Sequence, residues 1–275
     1  MSRIHTLTKL VTIAGVTLGL SIQTVGGAEY PAQKNPQSTK DSASVVMKKN
    51  SPPLERQVVR VSEDKQVASV REEPLYRPPQ RGAPGGRVGG GTRGPSMDLP
   101  LMWALVPDHV GLSAGAQPRL VWYLSKATTY PLELTIIDEK GVTPILEKPL
   151  SSQTEPGMHI IRLEDYDLKL EKGKNYQWSV SLISDREHRS RDLIVGGMIQ
   201  VDDVPASLGE DVRKANPVEA TRLWAQAGFW YDAIGVISTN IQSNPSDSEM
   251  HALRASLLEE VDLDTPAQVD RQHGL

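Results

Sequence analysis

Between residues 101 and 201 apolar and polar positions alternate in short runs broken by turn residues. Residues 101–106 place Leu101, Trp103 and Leu105 on one face before Pro107-Asp108-His109 ends the run. In 118–124 Leu120, Trp122 and Leu124 share a face, with Arg119, Val121 and Tyr123 opposite. In 132–137 Leu132, Leu134 and Ile136 alternate with Glu133 and Thr135. Glu139-Lys140-Gly141 then reads as a hairpin turn with Gly141 at a positive-φ position. The return strand, 142–148, is marked as an edge by Pro144. Residues 157–163, 175–184 and 193–201 continue the series, with Tyr176, Trp178, Val180 and Leu182 facing inward. A period of two is the signature of strands covered on one face. Seven short strands with turns at this density predict an antiparallel β-sandwich over residues 98–205, centred on Trp122 and Trp178.

After Pro205 the apolar period lengthens to that of a helix. Asn216-Pro217 combines an N-cap residue with proline at the first helical position. Ala220, Leu223, Trp224 and Ala227 form one face, ended by Gly228. A second helix from Phe229 carries Trp230, Ala233, Ile234, Ile237 and Ile241 on a stripe, and Asn244-Pro245 stops it. Ser246 opens a third, lined by Met250, Leu253, Leu257 and Val261. Residues 206–263 are therefore expected to be helical and 264–275 to be a frayed tail. The run 225–234 followed by Asn244-Pro245 resembles one tetratricopeptide repeat. A solenoid needs about three repeats to bury its faces, so this hairpin and the helix after it are expected to pack on the strands or on a partner. Leu170 and Tyr176, bracketing Gly173, resemble a tyrosine corner. With no cysteine in the chain, the likeness is to fibronectin type III rather than to disulfide-linked immunoglobulin domains.

The first 97 residues show neither period. Arg3, His5 and Lys9 precede an uncharged apolar run from Leu10 to Ile22, and Gly26-Gly27-Ala28 follows. That is the pattern of a cleavable export signal over 1–28, too short to span a bilayer. Periplasm or beyond is the expected destination, with no transmembrane helix left after cleavage. Residues 29–97 are rich in Pro, Ser, Lys and Gln, a composition that buries too little apolar surface to offset the entropy of ordering. A disordered linker is expected there, with 58–61 and 67–70 as transient strands. This segment carries net charge +5, and residues 98–275 carry −11. Such an asymmetry suits a basic arm for an anionic partner or a leader that lies against its own body.

Within the leader, residues 81–95 hold the only motif-like stretch, with Arg81, Arg87 and Arg93 spaced by six among glycines. Gly89-x-Gly91-x-x-Gly94 has the letters of a dinucleotide fingerprint but not its context. No buried strand precedes it, and Pro95 follows where a helix would have to open. No Gly-Lys-Ser/Thr is present, so the stretch is no phosphate loop. Arg-Gly tracts bind single-stranded nucleic acid, a partner that export removes. Two readings stay open: the arginines contact an anionic envelope surface, or the glycines fold the chain back so that the arginines pair with acidic groups of the body.

Catalytic and cofactor chemistry is hard to find. The absence of cysteine excludes disulfides, thiolate zinc sites and cysteine nucleophiles. His109 follows Asp108 in a loop and reads as a polar turn rather than a catalytic pair, His159 and His251 have no acidic or histidine neighbour at ligand spacing, and His188 sits in a charged hairpin tip. Residues 164–167 lack the glycine and terminal glutamate of a calcium loop, and no Gly-x-Ser-x-Gly occurs. No cofactor or metal is expected. Paired carboxylates stay open, because glycosidase acids come from distant strands.

Three features, the Gly-Arg stretch 84–94, the run Leu105-Val106-Pro107-Asp108-His109-Val110-Gly111-Leu112 with 118–124 after it, and Ala227-Gly228-x-Trp230-Tyr231-Asp232-Ala233, together resemble the "domain of unknown function 928" family, known mainly from cyanobacteria. The resemblance implies an exported protein with no assigned activity and no catalytic residues to carry over. The expected function is a non-enzymatic interaction or structural module of the bacterial envelope, its partner another envelope protein or a cell-wall component. The alternatives are an envelope-polysaccharide hydrolase and a small-ligand sensor. An interaction module should display a shallow apolar patch, expected at Phe229, Trp230 and Tyr231; an enzyme should display converging acids or a shifted carboxylate.

Overall fold

A computed structural model describes residues 73–79, 86–89, 99–151 and 153–273. The expected export signal, the possible strands at 58–61 and 67–70, and Arg81 and Arg93 lie outside the described residues. Among the described residues eight strands are followed by five α-helices, a mixed α/β architecture.

All seven expected strands are present: β1 (Met102–Ala104), β3 (Arg119–Leu124), β4 (Leu132–Asp138), β5 (Leu146–Pro149), β6 (Gly157–Arg162), β7 (Asn175–Leu182) and β8 (Leu193–Val201). The eighth, β2 (Gly111–Ser113), lies between the first and second expected strands, where no strand was expected. Strands β2-β8-β7-β4-β5 form one sheet and β1-β3-β6 the other. The expectation of an all-antiparallel arrangement is corrected here, because β2 pairs with β8 in parallel, Gly111 opposite Ile199 and Ser113 opposite Val201. Strand β5 stands at a sheet edge as expected, and the β4–β5 turn closes with the Gly141 amide donating to the Asp138 carbonyl at 2.7 Å. Gly141 does not take the positive φ expected of it.

Both sheets feed one core. Leu134, Trp178, Val180 and Leu182 from the larger sheet and Leu120 and Leu124 from the smaller are wholly buried. The tyrosine of the expected corner is in place, its hydroxyl accepting from the Glu171 amide at 3.1 Å. Central strand β3 is buried on both faces, since Val121 and Tyr123 are covered as well as Leu120, Trp122 and Leu124.

The outer face of β3 is covered by helices. The helical part comprises α1 (Ala206–Lys214), α2 (Pro217–Gln226), α3 (Trp230–Ser243), α4 (Ser248–Glu259) and α5 (Asp264–His273). Asn216 caps α2 through a reciprocal pair of bonds with Glu219. The buried positions of α2 are Ala220, Thr221 and Ala225, and Ala227 is exposed, which shifts the face expected from the sequence. Gly228 ends the helix at φ 86°, the left-handed geometry that glycine adopts without penalty. Helix α3 buries its whole expected stripe and lies along β3, with Gly235 packed on the stem of Arg119. Helix α1 falls inside the span expected to be helical, though no separate helix was delimited there, and α5 lies beyond it. The tail read as frayed is a helix whose Ala267 and Asp270 are buried.

Candidate functional site

The expected aromatic patch is not a surface. Phe229, Trp230 and Tyr231 are 4%, 0% and 1% exposed, so the placement of an apolar docking patch there is overturned. Their polar atoms explain the burial. Trp230 donates its indole N–H to the Leu105 carbonyl at 2.8 Å, tying α3 to the end of β1. The Tyr231 hydroxyl accepts from the Trp178 indole at 2.8 Å and donates to the Met198 carbonyl at 3.0 Å, tying α3 to β7 and β8. Burial pushes the Tyr231 hydroxyl pKa well up, so it stays protonated and able to donate. Gly111 in β2 lets the Tyr231 ring come close; a Cβ there would lie 2.7 Å from the ring.

Asp232, next in sequence, is a strongly shifted carboxylate. Its Oδ2 accepts from the Ala114 amide at 2.7 Å, holding the turn after β2 against the first turn of α3. Burial lifts its pKa to about 6, against the lowering pull of the Ala114 amide, its own amide, the Ser113 hydroxyl and the Arg119 charge.

Arg87 lies in the described part of the leader. Its Nε donates to the Val106 carbonyl at 3.0 Å, and its Nη atoms reach the carbonyls of Val261 and Asp262. These two carbonyls follow the last turn of α4, where Asp262 takes a left-handed φ of 56°. A guanidinium at this end meets the negative pole of the helix and satisfies carbonyls that the helix leaves open. Burial lowers the Arg87 pKa, opposed by the charges of Asp108 and Asp262. Arg87 thus folds back on the body as one reading held, but through neutral carbonyls rather than carboxylates. On either side the Gly86 amide donates to Asp108 at 2.6 Å, and Val88 exchanges two 3.0 Å bonds with Gly196 of β8.

Residues 73–79 dock beside it. The Glu260 carboxylate accepts the Leu75 and Tyr76 amides at 2.7 and 2.6 Å, and the Arg77 amide donates to Ala225 at 3.1 Å. The Tyr76 ring stands edge-on to Trp230 and stacks on His109, with its hydroxyl 3.3 Å from His109 Nε2. Disorder across 29–97 therefore does not hold for 73–79 and 86–89: buried Leu75 and Tyr76 supply the apolar surface that the composition seemed to deny.

The other histidines also have structural partners. His159 stacks on Trp122 and donates to the Glu155 carbonyl, and burial lowers its pKa. His188 lies at an exposed hairpin tip, 2.7 Å from Asp185. His251 does have an acidic partner, from another helix. Its Nδ1 is 2.7 Å from Asp270, which also takes two bonds from Arg254, while Arg254 donates a third to Ser238. No sequence spacing announces a contact between α4 and α5. Among the described residues no group of three or more acidic, histidine or cysteine side chains could hold a metal, and no helix is long and apolar enough to cross a membrane.

The family profile for "Domain of Unknown Function (DUF928)" matches residues 88–271, about two-thirds of the chain. The chain belongs to this family. Every tie of α3 to the strands, from Leu105 to Tyr231, and the whole His251 cluster fall inside the DUF928 region, whereas residues 73–79 and Arg87 lie before it. No curated protein matches the chain. Among solved structures, a multi-domain immunophilin from Arabidopsis thaliana aligns at 10% identity over 68% of this chain and 99% of its own, with a TM-score of 0.17, too low to bear on the DUF928 fold.

Proposed function

We propose that this chain is an exported, non-enzymatic interaction module of the bacterial cell envelope. One observation supports it above the others: the buried polar side chains best suited to chemistry join elements of the fold. Trp230, Tyr231, Asp232 and Arg87 each bridge segments far apart in the chain, and His251, Arg254 and Asp270 join α4 to α5. The two sheets are read as a fibronectin type III-like sandwich, a reading supported by the Tyr176–Glu171 bond. Helices α2 and α3 are read as a tetratricopeptide-like hairpin, supported by their packing against each other around Gly228.

With the aromatic patch buried, the contact surface moves to the β4–β5 hairpin. Val142 is 97% exposed and Ile145 43%, beside edge strand β5. An open edge with apolar neighbours is a template for an added strand from another chain. A photo-crosslinker at Val142 of the exported chain should give one discrete adduct with an envelope component, lost on Ile145→Asp. The hydrolase reading has one observation in its favour, the raised Asp232 carboxyl. It prevails if no adduct forms and the purified chain releases soluble sugar from envelope polysaccharide in a manner that Asp232→Asn abolishes.

A further inference from the structure

Residues 73–79 form no strand or helix, yet the body grips them closely. Their fixings are of the kind by which a receptor reads an extended peptide: main-chain bonds for hold and one aromatic anchor for register. Two successive amides, of Leu75 and Tyr76, go to the two oxygens of a single carboxylate, Glu260, and a third, of Arg77, goes to the Ala225 carbonyl. Tyr76, 3% exposed, enters a slot walled by Trp230 and His109. Gly228, at φ 86°, leaves room for the Arg77 carbonyl, which would lie 3.1 Å from a Cβ at that position.

Glu260 is out of place as a helix residue. It is the C-cap of α4, where the helix pole is negative and a carboxylate is disfavoured. Its two amide partners come from outside the helix, so its position makes sense as part of a groove. All of the groove walls, His109, Ala225, Gly228, Trp230 and Glu260, lie within the family-matched region 88–271, and residues 73–79 lie outside it.

We infer that the groove between the α2–α3 turn, the end of α4 and the 105–110 run is a peptide-binding site. Its ligand class is an extended segment carrying an aromatic side chain, and residues 73–79 are its resident occupant in cis. The strap is a ligand of the body and leaves without unfolding it. This inference is independent of the hairpin contact proposed above, which involves the opposite edge of the larger sheet.

The test uses the full chain with a protease site placed in residues 81–85, cleaved after folding. A fluorescent synthetic peptide of residues 72–79 is then added and its anisotropy followed. The nicked protein should keep its circular dichroism spectrum and take up the labelled peptide saturably at one per chain. Affinity should fall at least about tenfold for a peptide with Tyr76→Ala. Glu260→Gln, which keeps the size of the side chain and removes its charge, should also weaken uptake. Loss of structure on release of the strap would overturn the inference, because the segment would then be core. Retention of structure with no uptake, or uptake indifferent to Tyr76→Ala, would overturn it equally.

Discussion

At the scale of single residues, the aromatic run 229–231 shows what a linear pattern leaves out. Periodicity reports which side of a helix a residue occupies, and Trp230 did fall on the apolar stripe of α3. It does not report how many layers cover that side, so a cluster of three aromatics read equally well as a docking patch. The polar atoms carry the missing information, since a buried tryptophan or tyrosine needs a partner for its N–H or O–H. Tyr231→Phe should therefore be costly although it removes one atom. Both the Trp178 indole and the Met198 carbonyl would lose a partner in a dry setting. A loss of about 1–3 kcal/mol in urea unfolding is expected, and a change within experimental error would show that water reaches the pair. Asp232 adds a pH dependence. Its folded pKa of about 6 lies above the ordinary aspartate value of 3.8, so between these values the native state binds more protons than the unfolded chain. Its contribution to stability is thus full below about pH 4 and falls as pH rises through about 6. Asp232→Asn keeps a carbonyl acceptor for the Ala114 amide and removes the ionisation. The variant should gain about 3 kcal/mol relative to the parent between pH 4 and pH 7, read as a difference between two denaturation series.

At the scale of elements, the strands with clear alternation were legible, and the short or mainly polar elements β2, α1 and α5 were not delimited. Strand β2 is Gly-Leu-Ser, three residues without a β-branched side chain, and what holds it is its pairing with β8 far along the chain. Helix α1 is short, and its two apolar side chains at helical spacing, Leu208 and Val212, are only half-buried, so little packing marks it out. Helix α5 is mainly polar and is tied down by Asp270, the acceptor of the His251 and Arg254 bonds. The hold on α5 is a buried ionic cluster, with Arg254 and Asp270 both nearly inaccessible to solvent. Desolvation makes such a pair a weak net source of stability, yet removing one partner strands the other charge. Arg254→Met alone and Asp270→Leu alone should each destabilise by about 3–5 kcal/mol. The double variant should cost clearly less than the two together, as a double-mutant cycle by thermal or urea unfolding would show. Additive costs would mean that the two side chains act separately and that α5 is held by Ala267 and its apolar neighbours instead.

At the scale of the whole molecule, the charge division invites an electrostatic account in which a +5 leader is drawn to a −11 body. The contacts say otherwise for the part of the leader that the structure describes. Arg87 donates to three main-chain carbonyls, Val88 pairs with the Gly196 backbone, and the Gly86 amide bonds the Asp108 carbonyl rather than its carboxylate. The carboxylates of Asp108 and Asp262 act on Arg87 only through their field. The two accounts separate on salt. The screening length falls from about 10 Å at 0.1 M to about 3 Å at 1 M, so a clasp made of charge attraction should loosen over that range. Short hydrogen bonds in a half-buried setting should not. Amide exchange at Val88, measured at 0.05 M and 1 M sodium chloride, is therefore expected to change by less than about threefold, corresponding to well under 1 kcal/mol. Arg87→Ala should raise exchange at the same amide by about tenfold or more, because it leaves carbonyls at the end of α4 and after β1 unsatisfied at a cost of about 1–3 kcal/mol. Exchange that climbs steeply with salt in the parent chain would restore the electrostatic account. It would also make the arginine spacing, rather than the backbone pairing at Val88, the feature that seats the leader on the body.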